Sequence, residues 1–436
     1  MKLLLPIIAL CYVRSVSSLF CYWNTGCPYK YHSNKTPYNA VRGDIRDSAI
    51  KIKGCEPVSI WGLLRHGKRN PGIVFVKQMK DAIAIRDYVA SSYDKGNSSL
   101  CAQDVENLRN WIDDKKMLDK PFQLTDEGYQ EAVGIGHRLK QAFPKLLTQL
   151  DANDYVFRHA HGMWILDSAK GFVEGLSKKQ LNIQPHKTDF DILAPYDTCA
   201  KYLDDVKNNP ETYAESVKFL NTPDYLAAKD RIQRRLGIDY PLTDTNITAL
   251  YDLCRYFSSG IDTKFSPWCA LFTTGDLKAM EYIADLRHYY RSGYGTPINE
   301  LFGQITLSDL LRNFQSVKNG NGKKITTYIT HATMMDMVYT ALKLFKDDTP
   351  LTGARMKPDR KWRSSRIAVF SANLMVVLNK CNKEAAKDYN VVFYLNEEPL
   401  LSICKEGVCS WEEFEGKLTP FLETNTEFCD ANSPTK

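Results

Sequence analysis

The segment Arg65-His66-Gly67-Lys68-Arg69-Asn70-Pro71 sets an imidazole between two guanidiniums. That grouping suits phosphoryl transfer. A neutral His66 can attack phosphorus and form a covalent phosphohistidine. Arg65 and Arg69 offer planar forks that match phosphate oxygens in pairs. Their charge also disfavours protonation of the imidazole and offsets negative charge in the transition state. Gly67 permits close backbone approach, and Lys68 adds a substrate-binding cation to the loop. A nucleophilic histidine needs further donors on the phosphate, an orienting partner for its ring and a proton donor for the leaving alcohol. His331 can supply one of the phosphate donors.

These residues need rigid elements behind them. Residues 58–64 (VSIWGLL) form an apolar, β-branched run that reads as a buried parallel strand. Glycines and a proline end it at the RHGKRNPG loop. Residues 154–158 (DYVFR) and 323–330 (KKITTYIT) read as two more strands, and helical periodicity begins after His331. Thr125 is a candidate helix N-cap, with Asp126 and Glu127 suited to the helix's positive end. The stretches RIAVFSANLMVVLNK and DYNVVFYLNEEPL predict a strand hairpin. Residues 189–302 are helical, polar and rich in Tyr and Arg, as expected of an insertion or cap. Strands mixed with helices predict an α/β fold. In such sheets sites gather at the carboxyl ends of strands, where His66 and His331 fall.

The 436 residues are 44% hydrophobic and 25% charged, which fits a globular chain of one large domain with an insertion, or two domains. The formal charge of +6 is weak, and there is no basic tail, so nucleic acid is not an expected partner. The N-terminal MKLLLPIIALCYVRSVSS reads as a signal peptide over residues 1–18, too short in its apolar run to span a bilayer. No later segment reads as a membrane span, and the polar C-terminus lacks a lipid-anchor signal. Secretion to the extracellular space is the expectation. Twelve cysteines, eleven without Cys11, then predict disulfides with one thiol over. No CxxC spacing suggests zinc. Asn34, Asn97 and Asn246 begin glycosylation sequons.

RHGKRNP followed by a late strand-His motif resembles branch 2 of the histidine phosphatases, and most of all the multiple inositol polyphosphate phosphatases. The family's RHGxRxP is matched at every fixed position by Arg65 to Pro71. Its LTxxG segment is met by Leu124, Thr125 and Gly128. Its FR…DSA…F…GL segment is met by Phe157, Arg158, Asp167, Ser168, Ala169, Phe172, Gly175 and Leu176. The resemblance implies a histidine phosphatase fold: a mostly parallel central sheet flanked by helices, with a mainly α-helical cap. It places the α/β core at about 45–75, 150–188 and 303–436, and the cap at about 76–149 and 189–302, within a domain spanning 19–436. It implies hydrolysis of phosphomonoesters, especially inositol polyphosphates, without a metal or other cofactor. His66 would be phosphorylated while Arg65, Arg69 and His331 hold the phosphate. By analogy with secreted relatives it pairs Cys21–Cys27, Cys55–Cys381, Cys199–Cys429, Cys254–Cys269 and Cys404–Cys409, leaving Cys101 as the odd thiol.

The sequence departs from the family pattern twice. The third phosphate-binding arginine is replaced by Trp164, and the acid of the HAE motif by Thr333. Losing a transition-state donor typically costs about 10²–10³ in rate. Losing a general acid costs about 10²–10⁴. Full activity therefore calls for substitutes. Candidates are His159 or His161 near the missing arginine, Lys68 in the loop, and Asp336, one helical turn beyond Thr333. The alternative expectation is a catalytically impaired member that binds a small ligand beside Trp164.

Overall fold

The computed structural model describes residues 31–260, 266–382 and 388–430. The leader expected over residues 1–18 and the Cys21–Cys27 pair lie outside them. Strand β1 (Cys55–Arg65) is buried from Ser59 onward, as its continuous apolar run requires. It lies inside a seven-stranded sheet of order β2-β3-β1-β4-β5-β6, with β7 also on β5. The other strands are β2 (Tyr155–His159), β3 (Ile325–Thr330), β4 (Asn373–Cys381), β5 (Tyr389–Leu395), β6 (Glu398–Pro399) and β7 (Val408–Ser410).

β1, β2 and β3 pair in parallel, whereas β4 to β7 add antiparallel, so the sheet is mixed rather than mostly parallel. The hairpin legible in the sequence is the cause, since β4 and β5 follow one another directly. Residues 366–372 do not join β4 as expected. Ser364–Ile367 is a helical turn, and Ser371 turns at a φ of 59°. The Ser371 amide donates to the His66 carbonyl instead.

Six helices position the site: α1 (Asp126–Ala142), α2 (Met163–Leu176), α3 (Asp244–Tyr256), α4 (Thr274–Ser292), α5 (Ile298–Lys318) and α6 (Ala332–Ala341). Thr125 caps α1 as expected, its hydroxyl accepting from the Gly128 amide. α1 packs along α2, and α5 along α6. Residues 189–302 contain helices and no strand among the described residues. No helix there or elsewhere in the described chain is long and apolar enough to cross a membrane.

Four disulfides match the expected pairs: Cys55–Cys381, Cys199–Cys429, Cys254–Cys269 and Cys404–Cys409. The first joins residues that are register partners at the ends of β1 and β4. Cys101 is a correction. It is disulfide-bonded, so it is not the odd thiol.

Candidate active site

β1 delivers Arg65 as its last residue, and the loop that follows is fixed by main-chain bonds on both sides. The Arg65 amide donates to the Ala372 carbonyl, and the His66 amide to Thr330 at the end of β3. The loop then packs on the start of α1. A Cβ on Gly67 would meet the Gly128 carbonyl oxygen at 2.2 Å, and one on Gly128 would meet the Lys68 carbonyl at 2.1 Å. Two glycines are therefore required for this contact. Thr125 completes it, donating from both its amide and its hydroxyl to the Lys68 carbonyl. On the other side the Gly67 amide donates to Ser168 Oγ on α2, and that hydroxyl donates to the Trp164 carbonyl.

His66 is 3% exposed. Its Nδ1 lies 2.8 Å from the Gly67 carbonyl oxygen. A carbonyl only accepts, so Nδ1 carries the proton and Nε2 keeps its lone pair. Burial, then the charges of Arg65 and Arg69, hold the imidazole well below its usual pKa. Nε2 is thereby left free to act as a nucleophile.

Around it stand His331, Trp164 and Phe370, with ring centroids 5.9, 6.3 and 5.9 Å from that of His66. Arg65 lies over Phe370 and donates through Nη1 to the Asn34 and Ala368 carbonyls. Arg69 lies over both Phe122 and Trp164, whose rings stack on each other. Three donors here are buried and unpaired: Arg65 Nε, Arg69 Nε and the Trp164 indole Nε1. An unpaired buried donor typically costs about 1–3 kcal/mol. Three such donors on residues around one histidine suit an anion.

A family description, "Histidine phosphatase superfamily (branch 2)", matches residues 59–396. The chain belongs to that superfamily. It is 30% identical over 430 residues to Multiple inositol polyphosphate phosphatase 1 of Drosophila melanogaster, covering 94% of this chain and 89% of the relative. It is 23% identical to Phytase A of Emericella nidulans, covering 80% and 79%. Its fold resembles the crystal structure of the phytase from D. castellii, with a TM-score of 0.71, 18% identity and coverage of 93% and 88%. It also resembles the Bifidobacterium longum multiple inositol polyphosphate phosphatase, solved with inositol hexasulfate, at a TM-score of 0.67, 15% identity and coverage of 92% and 99%.

As a histidine phosphatase the chain keeps His66, Arg65, Arg69 and His331 together, and the structure corrects one expected substitute. Lys68 is not a free substrate cation. Its ammonium is buried against the Glu127 carboxylate at 2.6 Å and the Ser258 carbonyl at 2.7 Å. His159 and His161 make their ring contacts with His186 rather than with His66. Asp336 is fully buried, and its Oδ2 already accepts from His288 and Ser292. Thr333 is buried in the first turn of α6.

Sequence reasoning missed Lys35. Its Nζ lies 5.1 Å from the centroid of Phe370, the ring that also carries Arg65, and 5.4 Å from that of Tyr256. Burial, then Arg65, Arg69 and Arg255, pull its ammonium well below the usual lysine value. No carboxylate forms an ion pair with it among the described residues. The segment is pinned by Ser33, bonded to Ser364, and by the Tyr31 carbonyl, which accepts from Tyr251. The only local signal was a lysine inside a sequon.

Burial and the arginines push His331 down to about 3. An unfolded histidine titrates near 6.5. Unfolding therefore binds protons below about pH 6.5, and this group's contribution to stability falls as pH drops through that range. Glu131 runs the other way, since burial raises it to about 7. Its cost appears as pH rises above the ordinary carboxylate value. Comparing variants isolates the histidine. His331→Asn is expected to lose less stability than the parent between pH 7 and 5, read from urea midpoints. Equal losses would contradict the buried neutral imidazole.

Proposed function

We propose that this histidine phosphatase is a secreted enzyme that hydrolyses phosphomonoesters, with inositol polyphosphates as its main class, through a phosphohistidine at His66. The observation that carries this is the His66 tautomer: Nε2 has its lone pair free, beside three unpaired buried donors. Arg65, Arg69 and His331 hold the reacting phosphate, and the Trp164 indole N–H offers one neutral donor where the family has an arginine. The polyphosphate preference is supported by the relatives' names and by Lys35, which has no ion pair among the described residues and lies near Arg65, Arg69 and Arg255. A substrate with one phosphate leaves that charge cluster largely uncompensated; a second phosphate balances it. Arg255 and Arg291, within the expected cap of about 76–149 and 189–302, act electrostatically on Lys35 and His331. Four disulfides, the apolar leader and three sequons support export. Asn97 is the exposed acceptor, whereas the Asn34 carbonyl serves Arg65 and Asn246 sits in the capping box of α3.

Phosphate release from para-nitrophenyl phosphate and from inositol hexakisphosphate tests this. Both are expected to turn over. Lys35→Gln is expected to lower kcat/KM for the hexakisphosphate by about tenfold to a hundredfold, the scale of a charged hydrogen bond worth about 1.5–3 kcal/mol. Its effect on the aryl ester is expected to be small. A second reading, a protein that binds a small ligand without turnover, is favoured by the aromatic wall of Trp164 and Phe122. Calorimetric binding with no release from either ester would establish that reading instead.

A further inference from the structure

The reaction proposed above leaves an alkoxide without a proton donor, because Thr333 replaces the acid and a threonine hydroxyl is too weak an acid for that role. We propose that His288, held by Asp336, donates that proton. The inference rests on the phosphatase reading.

The pair is set by two packed helices. α4 lies against α6. His288 and Ser292, one turn apart on α4, both reach Asp336 Oδ2, at 2.7 and 2.8 Å. Asp336 lies three residues past Thr333 and five past His331, the N-cap of α6. The carboxylate is buried completely, while the His288 side chain keeps 19% of its exposure. Asp336 Oδ2 is thus occupied, and the imidazole is the more exposed member of the pair. A carboxylate only accepts when ionised, so His288 Nδ1 carries a proton and Nε2 is the end left for chemistry. This is the arrangement by which a buried carboxylate orients an imidazole and stabilises its cation.

α4 packs against the turn Ser33–Lys35 as well as against α6, whose N-cap is His331. One turn along α4, Arg291 acts electrostatically on His331. Asp336 acts on Arg65. Next to His288, Arg287 feels the charge of Arg255, as Lys35 does. α4 therefore lies between the turn that carries Lys35 and the helix that His331 caps.

The step balances. His66 Nε2 attacks phosphorus as the bond to the alcohol oxygen breaks. The His288 imidazolium gives its Nε2 proton to that oxygen and becomes neutral, with Nδ1–H still on Asp336. In the second half, neutral His288 takes a proton from water as the water oxygen attacks the phosphohistidine. The P–N bond breaks and its electron pair returns to His66.

A leaving-group comparison tests this. Para-nitrophenolate departs without a proton, whereas a glycerol or inositol alkoxide needs one. His288→Gln is expected to lower kcat on glycerol 2-phosphate and on inositol hexakisphosphate by about 10²-fold or more. The loss on para-nitrophenyl phosphate is expected to be far smaller. Asp336→Asn, changing a positioning residue, is expected to show the same selectivity with a smaller loss. Turnover of the aryl ester serves as the check that each variant folds. Equal losses on aryl and alkyl esters, or no loss, would overturn the assignment. So would a parent protein that turns over only the aryl ester, an outcome that leaves the phosphatase reading intact. A parent that releases phosphate from nothing would remove that reading first.

Discussion

Replacing His66 with alanine is expected to abolish phosphate release from every ester, with substrate affinity largely kept. The side chain supplies the atom that takes the phosphoryl group, and removing a covalent nucleophile can cost on the order of 10⁶ in kcat. Affinity survives because it resides in other groups, the guanidiniums of Arg65 and Arg69 and the donors around them. The vacated volume is small, and the main chain is held independently by bonds to Thr330 and Ser371. The loop should therefore keep its shape. Calorimetry with inositol hexasulfate, a non-hydrolysable polyanion, separates the two effects. Retained binding with no turnover is expected. Residual turnover within tenfold of the parent would mean that another group attacks phosphorus.

The second large effect is on stability. Arg360 is 4% exposed and bridges two buried carboxylates of α4, Glu281 at 2.8 Å and Asp285 at 2.6 Å. Asp285 also accepts from the amide and hydroxyl of Ser364. Ser364 in turn bonds Ser33, two residues before Lys35. Arg360→Met removes the cation and leaves two acids buried side by side. Glu281 already has its pKa raised by burial and by Asp285 with the arginine present. Breaking a buried ion pair by deleting one partner costs about 3–5 kcal/mol. Urea unfolding with the disulfides intact should show a loss of that size. A change below about 1 kcal/mol would mean that the carboxylates protonate or rehydrate at little cost. Because the same network anchors the Lys35 segment, activity on polyphosphates should fall in any folded fraction.

What was legible in the sequence was what is local. RHGKRNP, the Thr125 cap and the strand before His331 are contiguous signals, and each adopts the expected geometry. Gly128 was matched only by resemblance, and its physical reason appears as the close approach of α1 to the loop. What escaped was set by residues far apart in the chain. Lys68 reads as a free cation until Glu127, 59 positions away, is seen to neutralise it. Lys35 reads as part of a sequon until the fold brings it to Phe370 and Arg65. His288 lies 48 residues from Asp336, and no periodicity links them. The odd thiol could not be fixed by counting, because cysteine spacing leaves connectivity open. The antiparallel half of the sheet was foreseeable from the hairpin, but the parallel core dominated the expectation.

The central claim is that phosphate passes through His66. Rapid mixing with para-nitrophenyl phosphate, followed by alkaline quenching and peptide mass analysis, tests it most directly, since phosphohistidine survives base. One phosphoryl group is expected on the peptide containing His66, formed in the nitrophenolate burst and absent from His66→Ala. Steady turnover with no phosphorylated peptide, or a phosphoryl group on another residue, would contradict it.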